Sequence, residues 1–83
     1  MNRTATAVAD RVRAILARQL GLDRGEMTPE SDLLDDLGAD SLDVAELVMT
    51  LEEAFDIQVP DDHVEGMRTV GDVEHYVETA TAL

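Results

Sequence analysis

The chain has 83 residues, so one small core is its ceiling and a multidomain enzyme is excluded. Six Arg and no Lys stand against 19 Asp plus Glu, a formal net charge of -13, which argues against nucleic acid or an anionic membrane as partner and for basic protein surfaces instead. There is no Cys, hence no disulfide, no thiolate zinc site and no thiol nucleophile, a composition that suits a reducing cytoplasm.

The charge is unevenly placed. Residues 1–24 carry five Arg against two Asp, whereas residues 25–83 carry one Arg against 17 acids. Asp10, Arg11 and Arg13 interrupt the only early apolar stretch before it reaches the length of a secretory h-region, and no run is long enough to cross a membrane. The Arg-rich opening loosely resembles a mitochondrial transit peptide, but Asp10 is out of place in one, and cleavage would remove a core helix from a short chain.

Taken in chain order, Val8, Val12, Ile15, Leu16 and Leu20 form the stripe of an amphipathic helix, with Arg3, Arg11, Arg13 and Arg18 on its other face. Gly21 suits the C-cap. Residues 21–40 contain Gly25, Pro29, Gly38 and several Asp and read as a long loop, yet Leu22, Met27, Leu33, Leu34 and Leu37 predict that this loop packs on the core. A second helix runs from Ser41 to Phe55, capped by Asp40 or Ser41, with Asp43 in its first turn where an anion suits the dipole. Pro60 with Asp61 and Asp62 opens a short helical turn over residues 61–66. Thr69 and Asp72 look like a capping pair for a last helix that carries Val70, Val73 and Val77 on one face beside Tyr76. No period-2 run suggests a strand. The expected fold is all-α, a small bundle of three main helices plus one short helix, forming a single domain over residues 1–83.

The second helix carries the functional information. At about 100° per residue, Val44, Leu47, Val48, Leu51, Ala54 and Phe55 fill one arc, sufficient for the core face. On the opposite side Leu42, Ala45 and Met49 make a narrower apolar stripe flanked by Asp43, Glu46, Glu52 and Glu53. A small protein exposes some apolar side chains in any case. Three at helical spacing inside an acidic rim point further, to a docking face in which Leu42 and Met49 enter a partner's pocket while the carboxylates meet Arg or Lys around it.

Ser41 stands at the start of that helix. Taken alone it is an ordinary N-cap. In context, the run Leu37-Gly38-Ala39-Asp40-Ser41-Leu42, then Asp43, Glu46, Leu47, Val48 and Met49, then Leu51-Glu52-Glu53-Ala54-Phe55 and Val59-Pro60-Asp61-Asp62 closely resembles the acyl carrier proteins, in particular the bacterial type II fatty-acid-synthase kind. The resemblance extends over essentially the whole chain. It implies a four-helix fold, with 4'-phosphopantetheine joined to Ser41 through a phosphodiester by a separate magnesium-dependent phosphopantetheinyl transferase that uses coenzyme A. Asp40 and Leu42 flank the attachment point. The terminal thiol of the arm would carry acyl chains as thioesters to synthases, transferases and reductases with basic docking patches, reached through Asp43, Ala45, Glu46, Met49, Glu52 and Glu53. The protein itself would be non-catalytic, cytoplasmic and monomeric, with no nucleic acid or membrane partner and no metal.

Gly66 departs from the family pattern; within the short third helix it would cost about 1 kcal/mol relative to Ala. Gly38-Ala39-Asp40 favours the fatty-acid type, and a discrete polyketide or other secondary-metabolite carrier is the alternative, suggested by the high Arg and Ala content. A serine hydrolase built on Ser41 with His63 or His75 lacks a G-x-S-x-G elbow and a Gly-rich oxyanion loop. The acid-rich stretch 32–43 misses the D-x-[DN]-x-[DN]-G calcium-loop spacing, and neither His has a second ligand at metal spacing. His75, three residues after Asp72, is placed to pair with it.

Overall fold

A computed structural model describes the backbone of residues 3–82 and the side chains of residues 7–82. Helix α1 spans Arg3–Leu20, α2 Ser41–Phe55, α3 Asp61–Val64 and α4 Val70–Thr81, with a 3-10 turn at Arg24–Glu26 and no strand among the described residues. This is the expected all-α bundle of three main helices and one short one.

Several helix boundaries have a local cause. The α1 helix ends at Gly21, whose φ of 68° is open to glycine at no steric cost, and the Leu22 N–H donates back to the Ala17 carbonyl at 2.9 Å. Reciprocal capping boxes open α2 and α4: Asp40 with Asp43, and Thr69 with Asp72. Pro60 opens α3 without a side-chain cap. That short helix ends at Val64, so Gly66 lies in the following turn, and the expected cost of a glycine inside the helix does not arise.

The core is the meeting of the apolar stripes. Val12 and Leu16 of α1, Leu47 and Leu51 of α2, and Val70, Val73 and Val77 of α4 are buried, each burial contributing about 1.5–3 kcal/mol. The long loop joins them through Met27, Leu33 and Ala39. It is stitched to the start of α4 by three backbone bonds: Leu33 N–H to Arg68 O at 2.8 Å, Val70 N–H to Ser31 O at 3.0 Å and Gly71 N–H to Pro29 O at 2.8 Å. Leu34 is the exception to the packed-loop expectation. Its side chain is 46% exposed, because the backbone turn that buries Leu33 sends its neighbour outward.

The basic opening does structural work. The Arg11 guanidinium sits 4.5 Å from the Phe55 ring centroid and donates to the Ala54 carbonyl at 3.2 Å, tying α1 to the end of α2. Arg13 is not on an open polar face as expected; its Nε meets Glu74 Oε2 at 2.7 Å between α1 and α4, where the carboxylate is nearly buried. Arg18 is exposed as expected, and the side chain of Arg3 lies outside the described residues.

Candidate functional site at the start of the second helix

Gly38 has a φ of 74°, a conformation L side chains rarely adopt, and it turns the loop so that Ala39 buries while Asp40 and Ser41 emerge. Asp40 is the N-cap. Its Oδ1 accepts the Asp43 N–H at 2.8 Å, and Asp43 Oδ2 accepts the Asp40 N–H at 3.1 Å. The choice the sequence left open between Asp40 and Ser41 therefore falls on Asp40. Ser41 is the first helical residue, exposed, and among the described residues its hydroxyl has no capping duty. The hydroxyl stands at a helix N-terminus, where N–H groups without an intrahelical partner and the dipole favour an anion.

Beside Ser41 lies a groove of about 510 Å³. Leu33 and Leu34 of the loop, Val44 and Ala45 of α2, and Val64 and Met67 around α3 give it an apolar lining, and Glu65 and Arg68 add polar groups. A phosphate-linked arm needs an accessible hydroxyl, a site tolerant of negative charge and apolar space within reach. These residues supply all three.

On the outer face of α2, Leu42 is 66% and Met49 59% exposed, while Ala45 is exposed and also borders the groove. Leu42 and Met49 are two turns apart, about 10.5 Å along the axis. The acids around them divide into two kinds. The Glu46 and Glu53 residues are exposed, and their carboxylates make no hydrogen bond among the described residues. Asp43 is engaged in the cap, and Glu52 Oε2 accepts the Val59 N–H at 2.9 Å, fixing the chain after α2.

Sequence reasoning did not find the far wall of the groove. Val64, Glu65, Met67 and Arg68 form no periodic pattern with residues 33–45, and the pairing of the loop around Asp32 with the chain around Thr69 brings the segments together. Arg68 reaches back to the loop: its Nη2 donates to Asp32 Oδ2 at 3.1 Å and lies 4.0 Å from Asp35. Asp32 carries a lowered pKa, chiefly because the Asp35 N–H donates to it, with the Leu34 N–H and Arg68 adding against an opposing effect of partial burial. The expected pairing of His75 with Asp72 is absent, since that carboxylate accepts the N–H groups of Arg68 and Thr69. His63 instead contacts Tyr76, Nδ1 to hydroxyl at 2.8 Å, which links α3 to α4. Neither His is hydrogen-bonded to Ser41 among the described residues.

Residues 10–77 match the family model described as the phosphopantetheine attachment site. The chain belongs to that family. It is a carrier domain, a site of covalent 4'-phosphopantetheine attachment, and its part in metabolism is to carry rather than to catalyse. Membership implies dealings with the transferase that installs the arm and with biosynthetic enzymes that use it. Among the described residues, no helix is long and apolar enough to cross a membrane.

Proposed function

We propose that Ser41 is the attachment residue and that the chain carries growing acyl chains as thioesters for fatty acid biosynthesis. The observation behind this reading is the division of labour at the start of α2: Asp40 caps the helix, and the Ser41 hydroxyl stays exposed beside an apolar groove. The arm supplies a terminal thiol that forms the thioester, a function this Cys-free chain has no side chain to perform. Asp40 shapes the approach to Ser41 by fixing the first turn, and Leu42 offers an apolar contact beside the phosphate. Residues 1–83 act as one cytoplasmic, monomeric carrier domain.

Docking falls to Asp43, Ala45, Glu46, Met49, Glu52 and Glu53. Leu42 and Met49 would fill apolar pockets on a partner, and Glu46 and Glu53 would meet its basic rim, raising the encounter rate. Asp43 and Glu52 take part with their charge while their bonds hold the helix ends in place. The alternative, a carrier in a polyketide or other specialised pathway, draws support from the polar groups Glu65 and Arg68 at the groove.

The test of attachment is intact-mass measurement after incubation with coenzyme A and a phosphopantetheinyl transferase. One added phosphopantetheinyl group is expected on the wild type and none on Ser41→Ala. A wild type left unmodified under conditions that load another carrier would refute the assignment.

A further inference from the structure

Sulfur is unevenly shared between the inside and the outside of the bundle. The chain has four Met and no Cys, and Met1 lies outside the described residues. Met27 and Met67 are 3% and 5% exposed and belong to the core, whereas Met49 is 59% exposed on the outer face of α2. Two clefts flank it, one bordered by Gln19 of α1 and the other by Ile57 after α2, and Met49 with Glu53 lines both. An exposed thioether is open to oxidation to the sulfoxide. It has no proton to lose, so neighbouring carboxylates do not disarm it as they would a thiol, by holding it protonated. Hydrogen peroxide is uncharged and is not repelled by a chain of net charge -13.

The Met49 sulfur lone pair attacks one peroxide oxygen, the S–O bond forms as the O–O bond breaks, and the departing hydroxide takes the proton left on the transferred oxygen and leaves as water. Sulfur gives up two electrons and the peroxide gains them. The product reverses the character of the residue, since a flexible apolar side chain becomes a polar S=O acceptor. Asp43, Glu46, Glu52, Glu53 and Asp56, which line the clefts with it, carry carboxylates that cannot donate to that oxygen. An apolar pocket on a partner would have to desolvate it unpaired. The bundle is untouched, because Met49 is not a core residue. Resting on the carrier reading above, we infer that Met49 is a site of reversible peroxide oxidation that switches off partner docking while the fold stays intact. A thiol-dependent methionine sulfoxide reductase switches docking on again, two thiols closing to a disulfide as the oxygen leaves as water.

The test uses the apo form of the full chain, so that no arm thiol competes for the oxidant. Apo wild type is treated with hydrogen peroxide, the peroxide is removed with catalase, and peptide mapping locates the added oxygen. Met49 is expected to take it up at least about tenfold faster than Met27 or Met67, because burial denies the oxidant access. Loading by a phosphopantetheinyl transferase with coenzyme A should then fall about tenfold in kcat/KM, through KM, the effect of one acceptor desolvated without a donor. The urea midpoint should not move, and the two epimer-specific sulfoxide reductases with dithiothreitol should restore the rate. Met49→Leu, judged against its own untreated rate, should lose nothing to peroxide, and Met49→Gln should load like the oxidised wild type. Oxidation of Met27 or Met67 as fast as Met49, a loss the reductases do not reverse, or an equal loss in treated Met49→Leu overturns the inference. An untreated wild type that fails to load removes the carrier reading and the switch with it, whereas a loading rate indifferent to Met49 oxidation removes the switch alone.

Discussion

Replacing Asp40 by Ala tests whether the cap keeps Ser41 free. The Asp40 carboxylate accepts the Asp43 N–H at 2.8 Å, and losing a side-chain cap of this kind costs about 1 kcal/mol. Removing an anion from the positive end of α2 adds roughly 0.5 kcal/mol. The sum, about 1.5 kcal/mol, is small beside the roughly 4–12 kcal/mol expected of a domain this size, so the variant folds. The loss falls on the first turn. It corresponds to about tenfold more frequent opening there, read as faster exchange of the Asp43 and Val44 amides. A second effect follows from the helix seeking another cap. The adjacent side chain able to serve is Ser41, which on capping would lose its first-turn position and commit its oxygen to a backbone N–H. Loading by the transferase should therefore slow in Asp40→Ala by more than the stability loss alone would explain, and much less in Asp40→Asn, which keeps an acceptor. Urea melts, amide exchange and loading rates measured on the same three proteins decide it. If Asp40→Ala loaded at the wild-type rate with unchanged protection of the first turn, the division of roles between Asp40 and Ser41 would be wrong.

Four further outcomes are expected. Glu74→Ala strands Arg13 between α1 and α4; with 28% of the Arg13 side chain open to water, the loss should be about 2 kcal/mol rather than the larger figure for a fully buried pair, seen as a lower urea midpoint. Replacing both partners by Met and Leu should recover most of it. Asp32 has a folded-state pKa below its ordinary 3.8, so its contribution to stability is fully present above that value and is lost as pH falls through the lowered one; acid titration of Asp32→Asn should show a shallower loss below about pH 3.8. Glu46→Lys and Glu53→Lys should weaken binding to a partner enzyme roughly tenfold at low salt, with the difference shrinking as salt rises, while unfolding curves stay in place. Glu52→Lys should also lose about 1 kcal/mol of stability, because it gives up the bond to Val59 N–H.

The helices were legible because their signals are local. Val8, Val12 and Leu16 lie on one helical face, and Thr69 stands three residues before Asp72, so period and cap can be read without knowing where the chain goes next. The bend that exposes Leu34 while burying Leu33 was not legible, since both are leucines in one loop and the choice is made by a backbone bond to Arg68. The same limit hid the groove. Its walls come from residues 33–34, 41–45 and 64–68, which meet only after the loop pairs with the start of α4. Arg13 misled because a cation on a helix is ordinarily solvated, and its partner Glu74 is 61 residues away. The cap of α2 was ambiguous by local chemistry, since Ser and Asp are comparable N-caps and only the geometry assigns that duty to Asp40 rather than Ser41.

The acidity of the chain acquires two meanings once its carboxylates are followed to their partners. Eight acids, Asp23, Glu26, Asp32, Asp36, Asp40, Asp43, Glu52 and Asp72, accept backbone N–H groups at caps and turns. These groups would otherwise be unpaired in a fold with one long loop and four helix starts. Much of the net charge is thus the cost of using carboxylates as local acceptors, and it cannot all be assigned to binding. Glu46 and Glu53 have no such employment among the described residues, and they border the exposed Met49. The two kinds should separate under salt. Screening acts on free surface charges at a distance, so it should reduce encounter with a basic partner while leaving short backbone bonds to Asp40 and Asp72 largely intact. A carrier that lost partner affinity in salt but kept the protection of its helix starts would show charge for recognition and charge for folding residing on different residues of the same helix.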